Sequence, residues 1–225
     1  MGRAIGETLP LAVAVGLSPI PIIGVVLMLS TPRGARNGVA FVAGWILGLA
    51  GLGTFILLSA SGAGAGDHGS GPGWVNFAKL ALGLLLLVIA AKQWRKRPGS
   101  GEEASLPKWM DAVDHFPVRR AALLGAALAA VNPKNLILVV AGATTIAQSS
   151  ASGEGQAVAL AVFVAVASIG TAGPLLLHLT MRERSEHVLA AIKEWMARNN
   201  AVIMGVICVL IGVKLIGEAI SGFSS

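Results

Sequence analysis

Six long apolar runs, separated by polar connections, constrain this chain more than any other feature. They cover Ile5–Ser30, Asn37–Ser59, Trp74–Ala91, Ala121–Gln148, Ala157–Thr180 and Asn200–Ile220. A helix that crosses a hydrocarbon core ~30 Å thick needs roughly 20 predominantly apolar residues. A soluble amphipathic helix would show a polar face at every third or fourth position, and these runs do not. Only 12% of the residues are charged, about half of the ~25% typical of soluble domains. That is too little charge to cover a globule in water. The expected fold class is all-α: a polytopic membrane protein of about six transmembrane helices. Ala12-Val13-Ala14 resembles a signal-peptidase site, but Glu7 and Pro10 interrupt the short stretch ahead of it, so the first run is expected to stay as a span.

The basic residues sort to one side of these spans. Thirteen of the seventeen fall in the 1–2, 3–4 and 5–6 connections: Arg33 and Arg36, seven between Lys92 and Arg120, and Arg182, Arg184, Lys193 and Arg198. The 2–3 and 4–5 connections, Ala60–Gly73 and Ser149–Gln156, hold no Lys or Arg. Such asymmetry is the positive-inside signature. It puts the odd-numbered loops in the cytoplasm and both termini outside, in a multi-pass membrane protein. The net charge of +6 is then an orientation signal, and no nucleic acid is needed as a partner.

The chain reads as one membrane domain, 1–225, with half one at 1–94, a cytoplasmic linker at 95–118 and half two at 119–225. In the linker Pro107 suits a helix start. Trp109, Met110, Val113 and Phe116 then fall at helical spacing opposite Asp111 and Asp114, which predicts a short interfacial helix. Glu186–Arg198 reads as another short amphipathic piece. Asp67 and His68 are adjacent on a glycine-rich loop, a poor arrangement for a metal, and neither metal nor cofactor is expected. Cys208 is the single cysteine, which excludes a disulfide framework and a CxxC centre.

Three spans per half is an odd number, so the second half must run through the membrane inverted relative to the first. Span one carries Leu17-Ser18-Pro19-Ile20-Pro21 and span four carries Val131-Asn132-Pro133-Lys134-Asn135, each near the middle of its run. An interior proline removes a backbone hydrogen bond and leaves carbonyls unpaired. In lipid such a break is tolerated only where protein or a wet cavity supplies partners. Matched breaks in inverted halves point to the central site of a transporter. The candidate substrate-binding or translocation residues are therefore Ser18, Pro19, Pro21, Asn132, Pro133, Lys134 and Asn135. Thr171 and Pro174 join them from a third, weaker break at Ser168–Pro174. The competing reading is a pair of structural kinks.

Lys134 is the outstanding ionisable residue, thirteen or fourteen positions from either end of its run. A charge at such depth costs at least a few kcal/mol and normally faces the bundle interior. Glu7 could reach it only if span one tilts, so an anionic ligand is the natural counter-charge. An internal ion pair or a carbonyl cap is the structural alternative. Lys214 and Glu218 are read as a surface pair at the outer interface. Gly44 and Gly48 form a GxxxG pattern suited to packing within the bundle or to a homodimer.

With its Ser-Pro-x-Pro break at Ser18–Pro21, its Asn-Pro-Lys-Asn break at Asn132–Asn135, six spans and a basic central loop, the chain resembles the LysE-type transporter superfamily. Within it the chain looks most like the Gap-like family of glycopeptidolipid or sulfolipid addressing proteins. The resemblance implies export of solutes for the superfamily, movement of a cell-envelope glycolipid for the Gap-like branch, and a location in the plasma membrane. Membrane redox relatives of similar plan use paired intramembrane cysteines, which Cys208 alone cannot provide.

The leading expectation is a transporter of an anionic envelope lipid or lipid-linked glycan, with membrane lipids as partners. The alternatives are a LysE-like exporter of a small solute, such as an amino acid or ion, and a non-transporting membrane partner in envelope assembly. An enzyme is not expected: no HExxH, paired intramembrane carboxylates or Ser/His/Asp set lies in the spans, and His178 has no evident partner. The chain also has no nucleotide-binding loop, so an ion gradient, the substrate gradient or another protein would supply the energy. Orientation is directly testable. With Cys208 replaced, Ser70→Cys should react with an impermeant thiol reagent added outside and Ser100→Cys should not; the reverse pattern inverts the topology.

Overall fold

Each apolar run becomes helix, and the two runs broken by proline become two helices apiece. A computed structural model describes residues 1–31, 33–62, 73–95, 113, 116–181 and 184–224. Its helices are α1 (Gly2–Gly16), α2 (Pro19–Leu29), α3 (Gly34–Gly62), α4 (Gly73–Arg95), α5 (Val118–Ala130), α6 (Pro133–Ala147), α7 (Gly153–Met181) and α8 (Ser185–Phe223). Among these, α3, α4, α7 and α8 are long and apolar enough to cross a membrane. The pair α1–α2 bends by 51° and the pair α5–α6 by 63°, so there are four spans, or up to six if each bent pair is one span. Leu47, Phe55, Leu58, Leu123, Ile169 and Leu210 stand 64–70% exposed. Such outward apolar side chains suit a surface bathed in lipid rather than water.

Glycine sets how closely the long helices approach. A Cβ on Gly44 would collide with the Ala122 carbonyl of α5, and one on Gly48 would come within 2.9 Å of the Ala126 backbone. From the other side, Gly125 faces the Phe41 carbonyl of α3 with no room for a methyl. The GxxxG pattern is thus consumed inside the chain, against α5, and is not available to a dimer. In the same way Gly170 of α7 lies against the Gly16 carbonyl of α1. α4 and α8 meet at Gly83 and Gly212, where each added Cβ would lie 3.0 Å or less from the partner helix. Small residues are what allow backbones to approach this closely when lipid gives no hydrophobic drive.

Three sequence expectations are corrected. α7 runs unbroken through Pro174: the proline costs the helix one donor, to Gly170 O, a loss that membrane helices tolerate. Glu186–Arg198 is not a separate piece but the first third of α8, a single helix of 39 residues. At 1.5 Å per residue that helix is about 58 Å long, far more than the ~30 Å hydrocarbon core, so its charged end needs no break to leave the lipid. The pair at Lys214 and Glu218 is half-buried and larger than expected: Lys79 of α4 lies 3.2 Å from Glu218 Oε2, and Lys214 Nζ also donates to Glu7 O at 3.1 Å.

Most of the expected interfacial helix at 106–117 and the Asp67–His68 pair lie outside the described residues. The end of the linker does dock, with Val113 buried among Val25, Phe41 and Leu189 and Asn37 Nδ2 donating to Phe116 O at 2.9 Å. The glycine contacts give a stability test. Gly44→Val should destabilise the purified protein by about 1–3 kcal/mol, the usual cost of overpacking. Gly51→Val, at a position with open space around it, should be near neutral; equal melting shifts for the two would refute the close α3–α5 crossing.

Candidate functional site

The two proline breaks create the site by freeing carbonyls and then bringing polar side chains to them. In α1 the Pro19 nitrogen carries no hydrogen, so Val15 O loses its ordinary helical donor. The Ser18 N–H moves over to Val15 O (3.2 Å), and Ala14 O is the carbonyl left over. Lys134, from the start of α6, fills that vacancy: its Nζ donates to Ala14 O at 2.7 Å and to Ser18 Oγ at 2.6 Å. Ser18 Oγ in turn has Val15 O at 2.7 Å and Asn135 Oδ1 at 2.9 Å as acceptors for its single proton.

The second elbow repeats this logic. Pro133 opens α6, and Asn132 caps that helix by accepting from Lys134 N at 3.1 Å. At the end of α5, Leu128 O stands four residues before Asn132, as Ala14 O stands four before Ser18. Its cap is the Asn135 side chain, with Nδ2 donating at 3.0 Å. That bond also fixes the orientation of the Asn135 amide and turns its oxygen toward Ser18. One connected network therefore ties the end of α1, the start of α2, the end of α5 and the start of α6.

Burial makes the network electrostatically unusual. Lys134 is 1% exposed, Ser18 2% and Asn135 fully buried. Among the described residues Lys134 forms no ion pair; Glu7, the carboxylate that might have reached it, is paired with Arg3 at 2.7 Å instead. The ammonium is held by a carbonyl and a hydroxyl, and by the negative end of the α1 dipole. The carbonyl cap is thus the geometry found in this closed arrangement. Two of the three ammonium protons have acceptors among the described residues. Cys208 of α8 lies within electrostatic range of Lys134.

Of the sequence candidates, Ser18, Asn132, Lys134 and Asn135 come together directly, with Pro19, Pro21 and Pro133 forming the helix starts around them. Thr171 and Pro174 are buried in α7, but Thr171 spends its hydroxyl on its own helix and neither residue bonds to the network. Sequence reading missed Ala14 and Leu128, because both act through main-chain oxygens that no residue type advertises. The only signal available was positional: each lies five residues before the proline of its break.

Comparison with known proteins adds one finding. A family model described as Sap, sulfolipid-1-addressing protein, matches residues 8–221. No curated protein and no solved structure matches the chain. The match takes in both elbows and all the helices that hold them.

The network predicts a specific stability pattern. Ser18→Ala removes one acceptor from Lys134 and the donor to Asn135, and should cost about 1–3 kcal/mol, the range for leaving buried polar groups unsatisfied. In a double-mutant cycle with Lys134→Met the two losses should be strongly less than additive, read as melting temperature in detergent. Additive losses would mean that the two side chains do not share the bond.

Proposed function

Because the chain belongs to the Sap, sulfolipid-1-addressing protein family, we propose that it is a transporter that moves an anionic cell-envelope lipid or lipid-linked glycan across the plasma membrane. The observation that carries this reading is Lys134: a cation 1% exposed, at the junction of two broken helices, with no carboxylate paired to it among the described residues. A buried ion held only by dipoles is poised to exchange them for a true counter-charge. A head group bearing sulfate, phosphate or carboxylate supplies one.

The helix ends strengthen the case. α2 and α6 both begin at the elbows with proline in the first turn. The N-terminal ends of helices carry partial positive charge, which favours anions. Together with the Lys134 ammonium they would cradle a negative head group between the elbows. In the closed arrangement that space is filled by Ser18 and Asn135, so substrate entry requires the α1–α2 elbow to part from α6. Ala14 O and Ser18 Oγ would then give up the ammonium to the substrate and recover it on release. No covalent step is part of this reading.

The packing supports an inverted relation between the two halves, which interlock. Under exchange of the halves, α1 and α2 correspond to α5 and α6, and α3 and α4 to α7 and α8. Three contacts are reciprocal on that scheme: α3 packs on α5 as α7 packs on α1, α3 on α6 as α7 on α2, and α2 on α8 as α6 on α4, whereas the packing of α1 on α6 has no comparable counterpart between α5 and α2. The glycine crossings follow suit, with Gly44 and Gly125 in one pair of helices and Gly16 and Gly170 in the other. Such pseudo-symmetry is what alternating access in inverted-repeat transporters works through, and it fits a LysE-type plan with six spans.

Cells deleted for this gene and complemented with variants provide the test. Surface-extracted and total lipids would be compared by mass spectrometry. The deletion should strip one class of anionic lipid from the surface, and Lys134→Met should leave it about 10- to 100-fold depleted, the worth of one or two charge-assisted hydrogen bonds. Lys134→Arg keeps the charge with altered donor geometry and should restore part of the export. Full export by a folded, membrane-resident Lys134→Met protein would sink the proposal.

A further inference from the structure

The contact between α4 and α8 is tight at one end and open at the other. At Gly83 and Gly212 the two backbones touch, with an added Cβ on either glycine no more than 3.0 Å from the opposite helix. Two turns further along, the same test at Gly205 finds nothing nearer than Ala90 O at 3.9 Å and the Trp94 ring at 4.0 Å. Gly205 is therefore not a close-packing glycine. Its missing side chain, with the small Ala90 and Ala91 opposite, leaves the helices splayed. The result is a groove of about 690 Å³, lined by Leu87, Ala90, Trp94, Gly205, Val209 and Leu210, with Arg95 at its end.

The lining and the position of this groove specify its occupant. All the wall residues along its length are apolar, and the one charged lining residue, Arg95, sits where α4 ends. From Leu87 to Arg95 the helix rises about 12 Å, close to one leaflet of a ~30 Å core. Trp94 is half-exposed at the same level as Arg95, as aromatic residues are at the membrane–water interface. Lys92 is also in the last turn of α4. By the charge bias of the loops this is the cytoplasmic interface. Apolar length for one leaflet, ending at cationic groups, is the complement of an acyl chain joined to a negative head group. Val209 and Leu210 are 44% and 64% exposed, so the groove opens sideways, along the route a lipid in the bilayer would take.

We infer that the α4–α8 groove is an acyl-chain site for an anionic lipid of the cytoplasmic leaflet, with the head group held at Arg95. This deepens the transport reading and rests on it for its purpose: the groove is the loading position for the envelope lipid. Chain binding in the groove leaves the head group free to exchange Arg95 for the Lys134 site when the elbows part.

Binding can be read where no lipid has to move. The full chain is placed in nanodiscs of phosphatidylcholine doped with phosphatidylglycerol that carries a photoreactive diazirine in mid-chain. Crosslinked peptides are then mapped by mass spectrometry, with a diazirine phosphatidylcholine as control. The anionic probe should label the α4 and α8 peptides that line the groove above all other lipid-facing helices. Arg95→Gln should reduce its advantage over the control about fivefold, the worth of one basic side chain near an anionic surface. Gly205→Leu fills the groove from a position where a Cβ makes only ordinary van der Waals contact, with Ala90 O and the Trp94 ring, so labelling should vanish while the melting temperature holds. Val209→Trp blocks the groove from its lipid-exposed wall and should do the same if the leucine variant fails to fold. Uniform labelling of all lipid-facing helices, equal labelling by the two probes, or undiminished labelling in both folded blocking variants would overturn the site. Because the readout is occupancy, loss of export in the lipid-extraction assay with intact groove labelling indicts the transport reading, whereas absent labelling indicts the groove.

Discussion

Everything at the centre of this fold depends on how a hydrocarbon environment treats a carbonyl that has lost its helical partner. Two prolines at equivalent places delete main-chain donors, and lipid supplies no water to replace them. The chain answers with side chains from across the bundle: the Lys134 ammonium for Ala14 O, the Asn135 amide for Leu128 O. Each cap starts from α6, so the second elbow closes both its own break and that of the first. Ser18 joins the two caps into one network. Without these partners, straight helices would be the lower-energy solution, and the interior would have no polar junction.

On the transport reading, the arrangement seen here and the substrate-bound one would compete for the same donors. Apolar packing around it, with Leu11, Trp45, Leu49 and Leu138 fully buried, excludes water and strengthens every bond inside. The same exclusion would make an arriving anion a strong competitor for Lys134. Rigid support comes from the glycine crossings on either side, which hold α3 to α5 and α1 to α7 at backbone contact. On the transport reading, polar rearrangement would then be confined to the elbows, with α3–α5 and α1–α7 each moving as one body.

Much of this was legible in the sequence, and the physical reasons for the rest are specific. Run length and charge scarcity gave the helices, and proline beside a polar residue located both elbows. Pro174 misled because proline alone does not break a helix: it removes one donor, to Gly170 O, and α7 continues through it. The continuity of α8 was hidden by its own composition, since the charged Glu186–Arg198 stretch resembles a separate surface helix until its register with the following span is seen. Lys134 was visible as an anomaly, but not its partner, because Ala14 contributes only a main-chain oxygen. The role of each glycine likewise depended on its neighbour: Gly44 and Gly205 look alike in sequence, yet one permits contact and the other preserves space.

The long-range character of the Lys134 cap has a consequence for how the protein is made. Ala14 and Lys134 are separated by 120 positions along the chain, which at ~5–20 residues per second is about 6–24 seconds of synthesis. Throughout that interval the first proline break exists and its cap does not. The nascent first half must therefore wait beside water or an insertion partner, and an uncapped break could not settle into lipid alone. The first proline break is thus made incomplete, and its cap is supplied only when Lys134 arrives.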